Sequence, residues 1–127
     1  MCFKMFILKQ VQDEVPVDFK ALLNEFDDDT EFVKTLTETF LASSEGFSKD
    51  ISSGLKSRDY VRVSEVAHAL KGASGNLRTS PLYRASCDLE LYTKAENAPT
   101  LKSVTKKANL VLEEIERVVK SIARNYA

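Results

Sequence analysis

One histidine and its near neighbours hold the residue types in this chain that could do chemistry. His68 is the only histidine among 127 residues, and Lys71, Gly72 and Gly75 follow it closely. A neutral imidazole carries a nitrogen lone pair that can act as a nucleophile. If the segment is helical, a lysine three residues further on places a cation within reach of a group bound to that nitrogen. This pattern suits an anionic group such as phosphoryl.

The two glycines after His68 need an explanation if this segment is helical. At about 100° per residue, His68 points away from the apolar seam of Val66 and Leu70, with Gly72 and Gly75 within about 40° of it. Each glycine inside a helix costs about 1 kcal/mol relative to alanine. One interpretation is that a glycine ends the helix. The other is that surface without side chains lets another protein approach the imidazole closely.

Periodic apolar residues predict the helices that must position these side chains. Steps of three and four residues predict a short helix over 18–26 and four long helices over 32–55, 59–77, 80–92 and 101–122. Asp29 or Thr30, Asp59 and Ser80 are the expected N-caps, with Pro81 at the first helical position of its helix. No segment alternates with period two, so no strand is predicted. The fold class is all-α, an antiparallel up-down four-helix bundle with a short additional N-terminal helix.

Composition excludes several classes of function. The 18 Lys+Arg and 19 Asp+Glu give a net charge of −1, which argues against nucleic acid as a partner. Cys2 and Cys87 lie far apart and form no paired metal-ligand motif, so no metal is expected. The apolar segment 1–8 is too short to span a bilayer and is expected to pack on the fold, so no membrane contact is predicted. No glycine-rich phosphate loop precedes a Lys-Ser or Lys-Thr pair, so no nucleotide site is expected.

The residues after the histidine resemble the signature of a known family. The stretch His68-Ala-Leu-Lys-Gly-Ala-Ser-Gly-Asn-Leu77 is similar to the His-x-Leu-Lys-Gly motif of histidine-containing phosphotransfer (HPt) domains. The resemblance covers roughly residues 17–127. It implies that His68 accepts a phosphoryl group from a receiver-domain aspartate and passes it to another receiver. The implied partners are receiver domains of response regulators and of hybrid histidine kinases. It also implies that Lys71 supports the phosphoryl group and that Gly72 and Gly75 keep the surface open.

Further candidate site residues lie on the helix of His68 and on the helix that follows it. Leu89-Glu90 resembles the apolar-Glu or apolar-Gln pair of the family, whose polar member hydrogen-bonds the imidazole. Glu90 is therefore a candidate for fixing the tautomer of His68, and a solvated surface charge is the alternative. Lys94, one turn further on, would add positive potential or be an ordinary surface lysine. Ser64, at about −40° from His68, is a candidate contact for the phosphoryl group or the receiver.

One position departs from the family pattern. Where the family has a second glycine ten residues after the histidine, this chain has Arg78. If the helix continued, Arg78 would lie at about −80° from His68 and could reach the phosphoryl group as an extra cation or obstruct some receivers. The range of partners is therefore the property that this departure affects.

The expected protein is a phosphorelay intermediate with a 1–16 extension and an HPt-like bundle over 17–127. It would carry phosphohistidine without autokinase activity and need no cofactor, because Mg²⁺ belongs to the partner receiver. It is expected to be a monomer in the cytoplasm, or also in the nucleus if eukaryotic. The helix over 18–26 and the start of the first long helix would supply apolar docking area. Two alternatives are a degenerate module that docks receivers without being phosphorylated, and a plain helical interaction domain.

Overall fold

The computed structural model describes residues 15–95 and 99–126, and this part of the chain is helical and contains no strand. The apolar segment 1–8 and nearly all of the expected 1–16 extension lie outside the described residues. The helices are α1 (Phe19–Glu25), α2 (Thr30–Ser57), α3 (Tyr60–Asn76), α4 (Ser80–Lys94) and α5 (Leu101–Asn125). All five predicted helices are thus confirmed, with bounds that differ by a few residues at most.

The four long helices form one closed bundle. Each packs against the next along the chain, and α5 returns to pack against α2. Short connections make sequential neighbours antiparallel, which confirms the predicted up-down bundle. The apolar faces meet in a common core, and each fully buried aliphatic side chain stabilises the fold by about 1.5–3 kcal/mol relative to exposure. Its largest fully buried members are Leu22, Ile51, Leu70, Leu77, Leu82, Leu89 and Ile122.

Side chains cap two of the long helices as the sequence predicts. Asp29 accepts the Phe32 N–H at 3.0 Å before α2, and Asp59 accepts the Arg62 N–H at 3.1 Å before α3. The prediction of Ser80 as the cap of α4 is wrong. Thr79 holds the N-cap position and its side chain makes no capping hydrogen bond, so Pro81 is the second helical residue.

The end of α3 explains why the cap of α4 moves by one residue. Arg78, with φ of 54°, takes the left-handed conformation, and its N–H donates to the Gly75 carbonyl at 3.2 Å. The Thr79 N–H donates to the Ser74 carbonyl at 3.0 Å. These two bonds are the Schellman pattern that ends many helices. The interpretation that Gly72 or Gly75 ends the helix is therefore wrong, because Arg78 takes the position that glycine usually fills.

Helix α1 closes one end of the bundle. Leu22 is fully buried, and the Phe19 ring meets the Tyr126 ring edge-on with 6.0 Å between centroids. Glu25 accepts a hydrogen bond from Arg78 Nε at 2.7 Å. The apolar side chains of α1 therefore pack against the core. The apolar docking area expected on α1 is small for this reason.

Candidate functional site

The histidine lies on the solvent-facing side of α3, as the sequence predicts. Its side chain is 66% exposed, whereas Val66, Ala67 and Leu70 on the same helix are buried. One ring nitrogen, Nδ1, lies 2.7 Å from Oε2 of Glu90 on α4. The ring is thus anchored on one edge and exposed on the other.

Glu90 is the centre of a cluster of charged groups between α3 and α4. Its side chain is only 5% exposed, which excludes the interpretation of a solvated surface charge. Oε1 accepts from Lys71 Nζ at 2.9 Å, and Oε2 accepts from Lys94 Nζ at 3.0 Å as well as pairing with His68. The structure therefore brings four of the sequence-predicted site residues together on one carboxylate.

The cations hold this carboxylate in its ionised form. The Lys71 ammonium, followed by the Lys94 ammonium and the His68 ring, lowers the pKa of Glu90 to about 2 although burial opposes the shift. The hydrogen bond with Glu90 in turn raises the pKa of Lys71 above its ordinary value. An ionised carboxylate only accepts hydrogen bonds, so Nδ1 of His68 must be the donor. The lone pair of the neutral ring is then on Nε2, the nitrogen that can attack an electrophile.

The surface beside the imidazole is open. Beyond its chain neighbours and the backbone of its own helix, a Cβ atom added at Gly72 would meet no atom within 4 Å, and Gly72 is exposed. A Cβ at Gly75 would lie 3.7 Å from the Tyr83 ring, which is an ordinary contact. No described glycine has a positive φ, so backbone conformation does not require glycine at these positions.

Arg78 and Ser64 do not join the site. Arg78 follows the end of α3 and lies about 15 Å from His68 along the helix axis, from the helical rise per residue. Its guanidinium is paired with Glu25. The expectation that Arg78 reaches the phosphoryl group is therefore wrong. Ser64 is 4% exposed and its hydroxyl has no hydrogen-bond partner among the described residues. Its predicted role as a surface contact is also wrong.

The reason for the burial of Ser64 is the side on which α4 packs. Ser64, Lys71 and Gly75 lie on the same side of His68 around the helix axis. Lys71 and Gly75 both contact α4 side chains, Glu90 and Tyr83 respectively. This side of α3 thus forms the α3–α4 interface, and Ser64 falls within it.

Two residues near the site were not singled out from the sequence. The Tyr83 side chain lies over Gly75, and after Glu90, Cys87 and Tyr83 also act to raise the pKa of Lys71. Tyr83, Cys87, Glu90 and Lys94 follow one another at steps of four, three and four residues along α4. This helical spacing is the signal that would have found them once Glu90 was placed beside His68.

Other classes of site have no counterpart in the described part of the chain. Within residues 15–95 and 99–126, no three His, Cys, Asp or Glu side chains group closely enough to hold a metal ion. Among the same residues, no helix combines the length and the hydropathy that crossing a membrane requires.

The comparison with protein families assigns the chain. The family model for the Hpt domain matches residues 35–121, which is 87 of the 127 residues and includes His68, Lys71, Gly72 and Glu90. This chain belongs to the Hpt domain family. Hpt domains are histidine phosphotransfer modules of two-component phosphorelays, in which they interact with receiver domains, and they are not enzymes in the ordinary sense. No curated protein and no solved structure matches the chain significantly.

Proposed function

We propose that this protein is a phosphorelay intermediate that accepts a phosphoryl group on Nε2 of His68 and passes it to a second receiver domain. The observation that carries the proposal is the 2.7 Å contact between Nδ1 and Glu90, which leaves Nε2 as the nucleophile on the exposed edge of the ring. The receiver's phosphorylated aspartate is the donor. The bond between its carboxyl oxygen and phosphorus breaks as the Nε2–P bond forms.

The neighbours of the ring have separate roles in this proposal. Lys71 and Lys94 supply positive charge beside the incoming phosphoryl group, and both can move toward it because their side chains are 30% and 61% exposed. Gly72 leaves space for the loops of the receiver. Mg²⁺ and the acidic residues that bind it would belong to the receiver, and this chain would contribute no cofactor and no autokinase activity.

Exposed apolar residues on α2, α3 and α4 supply the proposed docking area. Val61 lies two turns before His68 on the same face of α3 and is 70% exposed, and Leu91 on α4 is 67% exposed. Phe32, at the start of α2, is 43% exposed and packs against Phe26. A transient phosphotransfer complex needs only a small interface, which these scattered side chains can provide. We further propose a monomer in the cytoplasm, the compartment typical of Hpt proteins.

The direct test is transfer from a phosphorylated receiver. The protein is incubated with a receiver domain carrying labelled aspartyl phosphate, then denatured and separated by electrophoresis. We expect label on this chain that acid removes and base does not. His68→Gln should abolish it, and Lys71→Ala should slow it while the helical circular dichroism is unchanged.

A degenerate docking module is the alternative within the same family. It would bind the receiver with measurable affinity and acquire no label. The plain helical interaction domain considered from the sequence would do neither, and the family match argues against it. Binding and labelling measured on the same receiver therefore separate the three functions.

A further inference from the structure

The hydrogen bond from His68 to Glu90 bears on the phosphorylated state as well as on the free protein. Glu90 is buried and bonded to two lysines, so it stays an ionised acceptor at neutral pH. A glutamine at this position could accept from a protonated Nδ1 or donate to a bare one, because its amide has both groups. A carboxylate can only accept. The partner present in this chain therefore favours a ring that keeps its Nδ1 proton.

We propose that Glu90 retains the proton on Nδ1 of His68 after Nε2 is phosphorylated, so that the phosphoryl group later leaves from a ring that is already protonated. This inference rests on the proposed function and adds a role for Glu90 in the second half of the relay. Glu90 is a positioning residue in this role, because it acts on the phosphoryl group through the imidazole.

The step balances without any proton transfer. In the first transfer, the Nε2 lone pair forms the bond to phosphorus and the aspartyl oxygen of the donor leaves with its electron pair. The ring becomes a phosphoimidazolium whose Nδ1–H faces the Glu90 carboxylate. In the second transfer, a carboxylate oxygen of the acceptor attacks phosphorus, and the Nε2–P electron pair returns to Nε2. His68 is restored as the same neutral Nδ1–H tautomer.

Proton retention determines the leaving group. A phosphorylated ring that has lost its Nδ1 proton must leave as an imidazolate anion, whereas a protonated ring leaves as neutral imidazole. The neutral leaving group departs much faster, which is the general reason why phosphohistidine is labile in acid and stable in base. Glu90 would thus keep the native phosphoprotein reactive at a pH where free phosphohistidine is stable.

The surrounding charges are compatible with a protonated ring. From α4, Glu90 and Lys94 face it, and from α3, Lys71 shares the same carboxylate. Glu65, one turn before His68 on α3, is exposed to solvent. The hydrogen-bonded groups of the cluster come from α3 and α4 alone within the described residues. The carboxylate, the two ammonium groups, the protonated ring and a doubly charged phosphoryl group together carry no net charge, so phosphorylation neutralises the cluster.

The test is the pH profile of label loss from the folded phosphoprotein. Phosphoramidate phosphorylates exposed histidine with release of ammonia, so this chain can be labelled without a receiver. The label remaining is then followed in native buffer from pH 6 to pH 9 for the wild-type protein and for Glu90→Gln. At pH 8 we expect the wild type to lose label at least about tenfold faster than Glu90→Gln, which corresponds to one pH unit of displacement between the profiles.

A matched control removes another carboxylate from the same helix. Asp88 is an exposed α4 carboxylate that bonds Lys107 on α5 and has no contact with the ring cluster. Asp88→Asn should follow the wild-type profile. Nitrogen NMR of the phosphorylated wild-type ring provides a second measurement that does not depend on any variant folding, and it should show a protonated Nδ1 at pH 8.

The outcomes separate this inference from the proposed function. Superimposed profiles for wild type and Glu90→Gln, or an unprotonated Nδ1 at pH 8 in the phosphorylated wild type, overturn the inference alone. Failure of both phosphoramidate and a phosphorylated receiver to label His68 overturns the proposed function and this inference with it. Denaturation before electrophoresis removes the influence of Glu90, so the base stability expected in the receiver assay is unaffected.

Discussion

The exposed glycine beside the imidazole gives a sharp test of the docking argument, because the chain contains a matched glycine elsewhere. Gly72 on α3 and Gly46 on α2 both lie inside helices and are both exposed, and an added Cβ would meet nothing within 4 Å at either position. Alanine stabilises a helix interior by about 0.5–1 kcal/mol relative to glycine. Gly72→Ala and Gly46→Ala should therefore each raise the free energy of unfolding by about that amount.

The two variants should differ in phosphotransfer. Gly46 lies on a different helix from His68 and has no proposed role in docking, so Gly46→Ala should transfer phosphoryl at the wild-type rate. Gly72→Ala places a methyl group one turn from the ring, on the surface where the receiver must approach. We expect it to slow transfer from a phosphorylated receiver at least about tenfold, which corresponds to about 1.4 kcal/mol of lost interaction in the transfer complex.

Urea unfolding and rapid-quench transfer measured on the same preparations provide the assay. If Gly72→Ala is more stable than wild type and still transfers slowly, the slow transfer does not come from a damaged fold. It then comes from impaired docking of the receiver. Transfer by Gly72→Ala at the wild-type rate would refute the proposal that this glycine is retained for access. A loss of stability in both variants would refute the reading that nothing packs against these glycines.

Three further substitutions test the fold and the charged cluster. Gly54→Ala should destabilise the protein by about 1–3 kcal/mol in urea unfolding, because the added Cβ would lie 2.8 Å from Val63 Cγ2. Unchanged stability would contradict that close approach. Arg78→Gly should be as stable as wild type or more stable by up to about 1 kcal/mol in thermal unfolding. Glycine relieves the left-handed conformation, which offsets the loss of an exposed ion pair with Glu25. A clear loss of stability would show that this ion pair dominates. The pKa of Glu90 is lowered from 4.5 to about 2, so the stability that its ionised form gives the fold is complete above pH 4.5 and is lost as the pH falls toward 2. Glu90→Gln should therefore lower the melting temperature at pH 7 and have little effect near pH 2. Equal effects at both pH values would contradict the ionised pair.

The helices and the orientation of the histidine follow from local sequence patterns. Apolar spacing predicts each long helix, and Asp29 and Asp59 cap α2 and α3 as their side chains and positions suggest. The outward direction of His68 follows from its angle to Val66 and Leu70 because both are buried. These are properties of single helices, which the sequence of each helix determines.

The errors concern properties that depend on how two helices meet. The interpretation of Arg78 assumed that α3 continues, but the helix ends in a left-handed residue that is usually glycine, so no residue signal marked the end. The angle of Ser64 to His68 predicts a surface position, because the sequence of α3 alone does not indicate the side on which α4 packs. The same packing explains why Glu90 is the partner of the His68 ring and not a solvated surface charge, because it buries Glu90 between α3 and α4.

The most direct test of the account is the location of the phosphoryl group after incubation with a phosphorylated receiver. Phosphorus NMR of the folded protein, combined with peptide mapping under alkaline conditions, identifies both the residue and the ring nitrogen. We predict a single phosphoryl group on Nε2 of His68, because Glu90 occupies Nδ1. A phosphoryl group on Nδ1 or on another residue, or a receiver that binds the protein and transfers nothing, would contradict it.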